Sequence, residues 1–386
     1  MHRHKIFYTH FLLPLGILAA TIIGAGFFSL PYFFSSIGIG LGFLLLALAG
    51  LAYTIFYFLY ADIVVRTKGE HRFIGYARMY LGQNASYIAV ATSILGMVFS
   101  LTIYLVLSVS FIDLIFPAGP PLAKAMIFWA IGSMAVFFRV KSIALSEFLV
   151  MVAIAAIILF LGAIGLPELS VDKLTLSHPL SVGILVPLGA ILFSLSGRAA
   201  IPEILGYFKA LKQGNGRVWM KKILAYGVIV PITLYSIFIL AIIALSGTVA
   251  EDAVSSLVGS VHPAVLIALG ILGLLSIWSS YITVGIDIIS SLHYDLHIRR
   301  EGRFLLVILA PLLFYLFGLT SFVRLVAVSG GIFLSIEGLL VILMWKRANA
   351  VLGNEPIFAK HISNLAIGFA AFIFSAALVG QLIQFL

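Results

Sequence analysis

The sequence predicts an all-α polytopic membrane protein: one transmembrane domain over residues 1–386 with eleven membrane-crossing helices. Three observations predict it. Hydrophobic residues make up 62% of the chain and charged residues 10%, with a mean hydropathy of +1.20, whereas soluble proteins average roughly 45–50% apolar and 25% charged. Apolar stretches of about 20 residues recur, the length that crosses a ~30 Å hydrocarbon core. The basic residues fall in alternate gaps between those stretches, as they do in a chain threaded back and forth through a bilayer.

In order, the apolar stretches run from His10 to Phe34, Gly40 to Val64, Ala85 to Phe116, Leu122 to Phe138, Ser142 to Leu166 and Val182 to Tyr207. They continue from Ile223 to Leu245, Pro263 to Leu292, Phe304 to Phe322, Leu325 to Met344 and Ser363 to Leu386. Charged or Pro/Gly-rich segments separate them. Thr67–Asn84 and Lys209–Lys222 read as cytoplasmic loops, and Glu251–His262 as a short outer amphipathic helix or loop. Arg3 and Lys5 before Phe11 resemble a signal peptide's charged start, but apolar sequence continues past any cleavage point.

Nineteen of the 23 basic residues fall on one side of this threading; Lys124, Lys173 and Arg324 fall on the other, and Arg198 lies within a span. The positive-inside rule then places the N-terminus in the cytoplasm and, after eleven crossings, the C-terminus outside. The net charge of +9 is therefore a topology signal, with the lipid bilayer as partner and no nucleic acid implied. The chain has no cysteine, which excludes disulfides, thiolate metal sites and cysteine nucleophiles. His293 and His297 have metal-compatible spacing but no acidic cluster nearby, and no nucleotide-binding, zinc-peptidase or hydrolase motif occurs, so an enzyme is not expected.

Two spans are interrupted. Ile23-Gly24-Ala25-Gly26-Phe27-Phe28-Ser29-Leu30-Pro31 breaks the first, and Ser194-Leu195-Ser196-Gly197-Arg198-Ala199-Ala200-Ile201-Pro202 the sixth. Gly26 to Pro31 and Gly197 to Pro202 share Gly-x-x-x-x-Pro spacing 171 residues apart, each in the first span of a group of five. An odd number of spans inverts the two groups, residues 10–166 and 182–344, leaving 363–386 as an extra helix. Broken helices in corresponding positions of inverted halves point to a transporter's midplane site, because unwound backbone persists at bilayer depth only where it lines a cavity. Half-helix N-termini attract carboxylates and carbonyl ends attract cations, so a zwitterionic amino acid with a coupling cation satisfies both.

The first-span run from Ala19 to Pro31 resembles the signature of the amino acid/auxin permeases and the bacterial aromatic and hydroxy amino acid permeases, within the amino acid–polyamine–organocation superfamily. Ser196 to Pro202 is similar to their second broken helix, and Ile277-Trp278-Ser279-Ser280-Tyr281-Ile282-Thr283-Val284-Gly285 to their eighth. The resemblance implies the LeuT-type fold of five plus five inverted spans and a cation-coupled amino acid symporter in a bacterial or archaeal cytoplasmic membrane. Many relatives carry His where Arg198 stands.

The resemblance further implies that the substrate carboxylate meets N–H groups around Ala25 and Gly26, with Ile22 and Gly24 beside them. The amino group meets carbonyls around Phe193, Ser194, Ser196 and Gly197. Thr21 is placed either to add a hydroxyl or to bond back to its own helix, and Tyr104 either to donate to the carboxylate or to pack. In the eighth span Ser276, Ser279, Ser280 and Thr283 share one helical face. The resemblance implies a Na⁺ site where Ser279 and Ser280 join the carbonyls of Ala20 and Ile23. The fifth span contains no lysine, the built-in cation of some proton-coupled relatives, which favours Na⁺ over H⁺ as coupling ion; no other cofactor is implied. Arg198 is placed to contact a substrate anion or to pair with Glu203 or Glu337, and Asp287 to carry protons or close an inner gate. Phe27, Phe28, Leu195 and Trp278 suggest an apolar pocket for neutral, aromatic or branched amino acids. The competing readings are another small solute on the same scaffold (nucleobase, polyamine or metal ion), an exchanger or sensor, and a membrane enzyme or receptor.

Overall fold

A computed structural model describes residues 7–69, 71–138, 144–170, 183–210, 216–353 and 355–385. Arg3, Lys5, Arg139, Lys141, Lys173, Lys212 and the start of the sixth stretch at Val182 lie outside the described residues.

Among the described residues fourteen helices follow one another. They are α1 (Tyr8–Ile22), α2 (Leu30–Ile37, entered through a 3₁₀ turn at Gly26–Ser29), α3 (Ile39–Arg66), α4 (Phe73–Leu81), α5 (Gln83–Ile115), α6 (Pro121–Phe137) and α7 (Ala144–Gly165). There follow α8 (Val186–Ser194), α9 (Ala200–Ala210), α10 (Gly216–Leu245), α11 (Pro263–Tyr294), α12 (Arg300–Leu316), α13 (Phe322–Leu352) and α14 (Asn364–Ile383). Among the described residues seven helices are individually long and apolar enough to cross a membrane, and eight crossings result when the bent pair Tyr8–Ile22 and Gly26–Ile37 counts as one. Three expected spans fall on shorter elements: α6, the broken pair α8 and α9, and α12.

Prolines mark starts and glycines mark stops. Pro31, Pro121, Pro187 and Pro263 sit in first turns, where a missing N–H costs nothing. Gly38 holds φ +90° at the tight α2–α3 turn, a conformation that disfavours any residue with a Cβ. Gly353, in the left-handed region, ends α13 at Leu352, eight residues beyond the expected Met344 and past the basic cluster Lys346–Arg347.

The expected loop Thr67–Asn84 instead contains α4. Phe73, Tyr76, Ala77 and Tyr80 recur at helical spacing and are all buried, and this apolar face seats the helix against α5 and α13. Glu251–His262 forms a 3₁₀ turn at Val254–Leu257 rather than an α-helix, held by Asp252 accepting from Ser255 N and Oγ.

The core is a cage of long helices around the two broken ones. Helix α11 packs along α5, α10 packs on α7 and α1, and α13 and α14 pack on α3. At one end of α3, Asp62 is fully buried. Its two oxygens accept from Arg66 Nη1 (3.1 Å), Trp345 Nε1 (3.0 Å), Ile357 N (2.6 Å) and Phe358 N (2.9 Å). This carboxylate ties α3, α13 and the α13–α14 connection together. Asp62→Ala strands those donors in the interior, a loss of about 3–5 kcal/mol. A marked fall in the thermal unfolding midpoint in detergent is expected; an unchanged midpoint would contradict the tether.

Candidate functional site

The two breaks face each other and use each other's ends. In the first, the regular ladder stops because Gly24 N–H bonds Ile22 O at 2.8 Å, leaving Ala20 O without the partner an unbroken helix supplies. The Ala25 and Gly26 N–H groups make no hydrogen bond among the described residues. Helix direction changes by 49° across the break. A Cβ on Gly26 would stand 2.7 Å from Ser194 Cα, at the last residue of α8. A Cβ on Gly197 would stand 2.5 Å from Ile22 Cγ1, at the last residue of α1. The matched glycines are thus the contact points of the two broken spans, each resting on the other's end.

Two tyrosines complete the crossing. Tyr235 on α10, fully buried, places Oη 2.9 Å from Ile22 O and 2.8 Å from Ser194 O, the terminal carbonyls of α1 and α8. Tyr57 on α3 donates to Leu195 O at 2.6 Å. Neither was singled out by the sequence reading, because a tyrosine inside a continuous apolar span carries no local signal of what its hydroxyl meets.

Between the breaks lies a cavity of about 110 Å³. The breaks themselves supply Thr21, Ile22, Gly24, Ala25 and Gly26 on one side and Phe193, Ser196 and Gly197 on the other. Tyr104 lines it from α5, and Ser329 and Glu337 from α13. Ser194 is absent from the lining: its carbonyl faces Tyr235 and its hydroxyl donates to Ile191 O at 2.9 Å. Thr21 also donates backwards, to Ile17 O at 2.8 Å, so its hydroxyl oxygen presents lone pairs to the cavity.

A second lobe of about 70 Å³ shares Thr21, Tyr104, Ala199 and Val284 with the first. Ser276, Ser279, Ser280 and Thr283 all line it, together with Ala20 and Ile23, so every residue of the expected cation set converges there. Its α7 wall is Val150, Met151 and Ile154, entirely apolar. The lobes meet at Gly24, where a Cβ would lie 3.7 Å from Ser280 Oγ and 3.9 Å from Tyr104 Oη.

Charged groups border the central cavity. Arg198 Nε donates to Glu337 Oε2 at 3.0 Å and Nη2 to Ser93 Oγ at 3.2 Å, with its guanidinium 4.5 Å above the Phe73 ring. Of the two acids proposed for Arg198, Glu337 is the partner; Glu203 points to the exterior of α9. Asp287 lines the cavity and pairs with Arg72 at 3.7 Å. Arg72 in turn lines a separate cavity of about 330 Å³ with His71, Tyr76 and Pro202, so this ion pair stands in the partition between the two spaces. The sequence reading missed α4, and with it both Phe73 under Arg198 and Arg72 beside Asp287.

Comparison with known proteins agrees with this geometry. Residues 8–378 match the tryptophan/tyrosine permease family. The chain belongs to that family. The permease is therefore an integral membrane transporter and not an enzyme. No curated protein matches it. Its fold is similar to that of MhsT in complex with L-phenylalanine, with a TM-score of 0.66 and 16% identity over 96% of the permease and 97% of that chain. It is also similar to Mhp1, a nucleobase-cation-symport-1 family transporter with bromovinylhydantoin bound (TM-score 0.63, 14% identity, 96% and 90% covered). A manganese transporter from Eremococcus coleocola gives a TM-score of 0.69 at 12% identity, with 100% and 89% covered. The permease thus has the LeuT-like fold of a secondary transporter.

Two tests follow for the permease. Gly26→Ala and Gly197→Ala should each weaken substrate binding by about 10–100-fold, since the added methyl has no room. Gly368→Ala, on exposed α14 with open space around it, should leave binding unchanged; equal binding by all three variants would refute the close contact. The second concerns Asp295, which ends α11 and accepts the Arg72 N–H at 3.4 Å. Burial pushes its carboxyl above the usual 3.8, against the lowering effect of Arg72, Gly75 and His71. A raised folded value means the stability it confers is complete below 3.8 and is lost as pH rises through the folded value. Asp295→Asn should therefore gain thermal stability relative to the parent between pH 4 and pH 7, and a relative loss would contradict the sign.

Proposed function

We propose that this permease is a cation-coupled symporter of an aromatic amino acid, working by alternating access around the cavity between the two breaks. The observation that carries the proposal is the pair of unengaged N–H groups at Ala25 and Gly26 in the wall of a small cavity. Half-helix N-termini with free N–H groups favour a carboxylate, and carbonyls of the opposite break suit an ammonium group. Ala25 and Gly26 hold the carboxylate; the end of α8 at Phe193 and the unwound turn at Ser196 and Gly197 receive the amino group. Phe27, Phe28, Leu195 and Trp278 do not line this cavity; Met97, Phe193, Val284 and Leu334 supply apolar contact for an aromatic side chain, in keeping with the family and with a fold neighbour seen with L-phenylalanine.

Na⁺ is the favoured coupling ion. Its site is the second lobe, where Ala20 O is released from its helix and Ser279 and Ser280 stand among further hydroxyls. Hard cations take oxygen ligands, and the apolar α7 wall supplies no competing positive charge. Arg198–Glu337 is a structural pair that fixes the second break against α13, and Arg72–Asp287 closes the path towards the second, larger cavity. In this reading the chain crosses a bacterial or archaeal cytoplasmic membrane eleven times, with the N-terminus inside and the C-terminus outside.

The second reading is another solute on the same scaffold, since fold neighbours carry a hydantoin or manganese in their names. Among the described residues no group of three His, Cys, Asp or Glu assembles, which favours the amino acid over a divalent metal. Uptake into proteoliposomes tests both. Tyrosine or tryptophan should accumulate under an inward Na⁺ gradient; accumulation of neither, under Na⁺ or proton gradients, refutes the proposal. Ser279→Ala combined with Ser280→Ala should abolish Na⁺ dependence, and full Na⁺ dependence in that variant would remove the cation from this lobe.

A further inference from the structure

Helix α13 reaches the cavity through an irregular turn that the breaks' chemistry leaves unexplained. Ser329–Leu334 is wound as a π-helix inside Phe322–Leu352, a feature that recurs at functional sites. Its cause here is close approach. A Cβ on Gly330 would fall only 1.7 Å from Gly189 O and 2.9 Å from Phe193 N, so α13 lies backbone against backbone on α8. In the wider turn Gly330 O accepts both the backbone N–H of Ser335 and, at 3.0 Å, its Oγ–H.

Ser329 is treated differently from its neighbours. It is 1% exposed and lines the central cavity, yet its Oγ has no hydrogen-bond partner among the described residues. Other hydroxyls near the breaks are spent on their own backbone: buried Ser29 on Gly26 O, buried Ser194 on Ile191 O and half-buried Thr21 on Ile17 O. A buried hydroxyl without a partner is costly, so one in the wall of a cavity is poised for a ligand. Phe193 stands between Gly26, which meets its ring, and Gly330, which meets its backbone. Ser329 therefore belongs to a different wall from the N–H groups that hold the carboxylate.

We propose that Ser329 is a specificity-determining residue: its hydroxyl hydrogen-bonds the polar atom on the ring of the substrate, the phenol O–H of tyrosine or the indole N–H of tryptophan. The inference rests on the amino acid reading above. With the carboxylate and amino group assigned to the two breaks, the ring substituent is the hydrogen-bonding group left for it. Phenylalanine lacks that group and leaves the serine unpaired, and sites built to bond a substrate hydroxyl reject the analogue without it.

The test is competitive uptake by wild-type protein and Ser329→Ala in proteoliposomes, with tyrosine, tryptophan and phenylalanine, reading kcat/KM for each. Wild type should prefer tyrosine or tryptophan to phenylalanine, and Ser329→Ala should reduce that preference about tenfold. Ser329→Thr, which keeps the hydroxyl, should retain more of the preference than alanine does. A loss shared equally by all three substrates, or an unchanged preference, overturns the assignment. Wild-type protein that transports none of them refutes the amino acid reading instead, so the two failures are distinguishable.

Discussion

Unwinding a helix in the middle of a bilayer exposes N–H and C=O groups that lipid cannot satisfy, each at a cost of several kcal/mol. This chain unwinds two, and most of its architecture answers that cost. The terminal carbonyls of α1 and α8 converge on one buried hydroxyl, Tyr235 Oη, and Tyr57 takes the next carbonyl of the second break. A phenol has one proton to give, so Tyr235 serves two carbonyls only by holding them together. The crossing of the broken spans is thus a polar contact as well as a steric one, with Gly26 and Gly197 allowing the approach.

Once both breaks are fixed in this way, the division of labour between the lobes follows. N–H groups left over at Ala25 and Gly26 face one lobe, and the carbonyl released at Ala20 accompanies the hydroxyl face of α11 in the other. The lobes share Thr21 and Tyr104, so an anion in one and a cation in the other would stand close enough to attract each other through a low-dielectric interior. Under the proposed symport, that proximity is what would couple solute to ion.

The parts that were legible in the sequence are those with a local signature. The two breaks announce themselves through Gly and Pro inside apolar spans, and the hydroxyl face of α11 through helical spacing; both appear where the spacing placed them. Other parts depend on contacts between distant segments. Tyr57, Tyr235 and Ser329 are single polar residues in apolar runs, and only the packed bundle shows what surrounds them. Helix α4 was hidden in a stretch read as a charged loop, because its nine residues are too short to register as a span while their apolar face is nonetheless buried. Arg198 is an intermediate case. Its cost in the membrane was evident and two partners were in view, but the choice of Glu337 over Glu203 comes from α13 lying across the cavity.

The account stands or falls on what occupies the space between the breaks. A structure of the protein solved with L-tyrosine or L-tryptophan, in the presence of Na⁺, measures it directly. The account predicts ligand density between Gly26 and Gly197, with the carboxylate on the Ala25 and Gly26 N–H groups. Density for the amino acid elsewhere in the molecule, with that space unchanged, would contradict it.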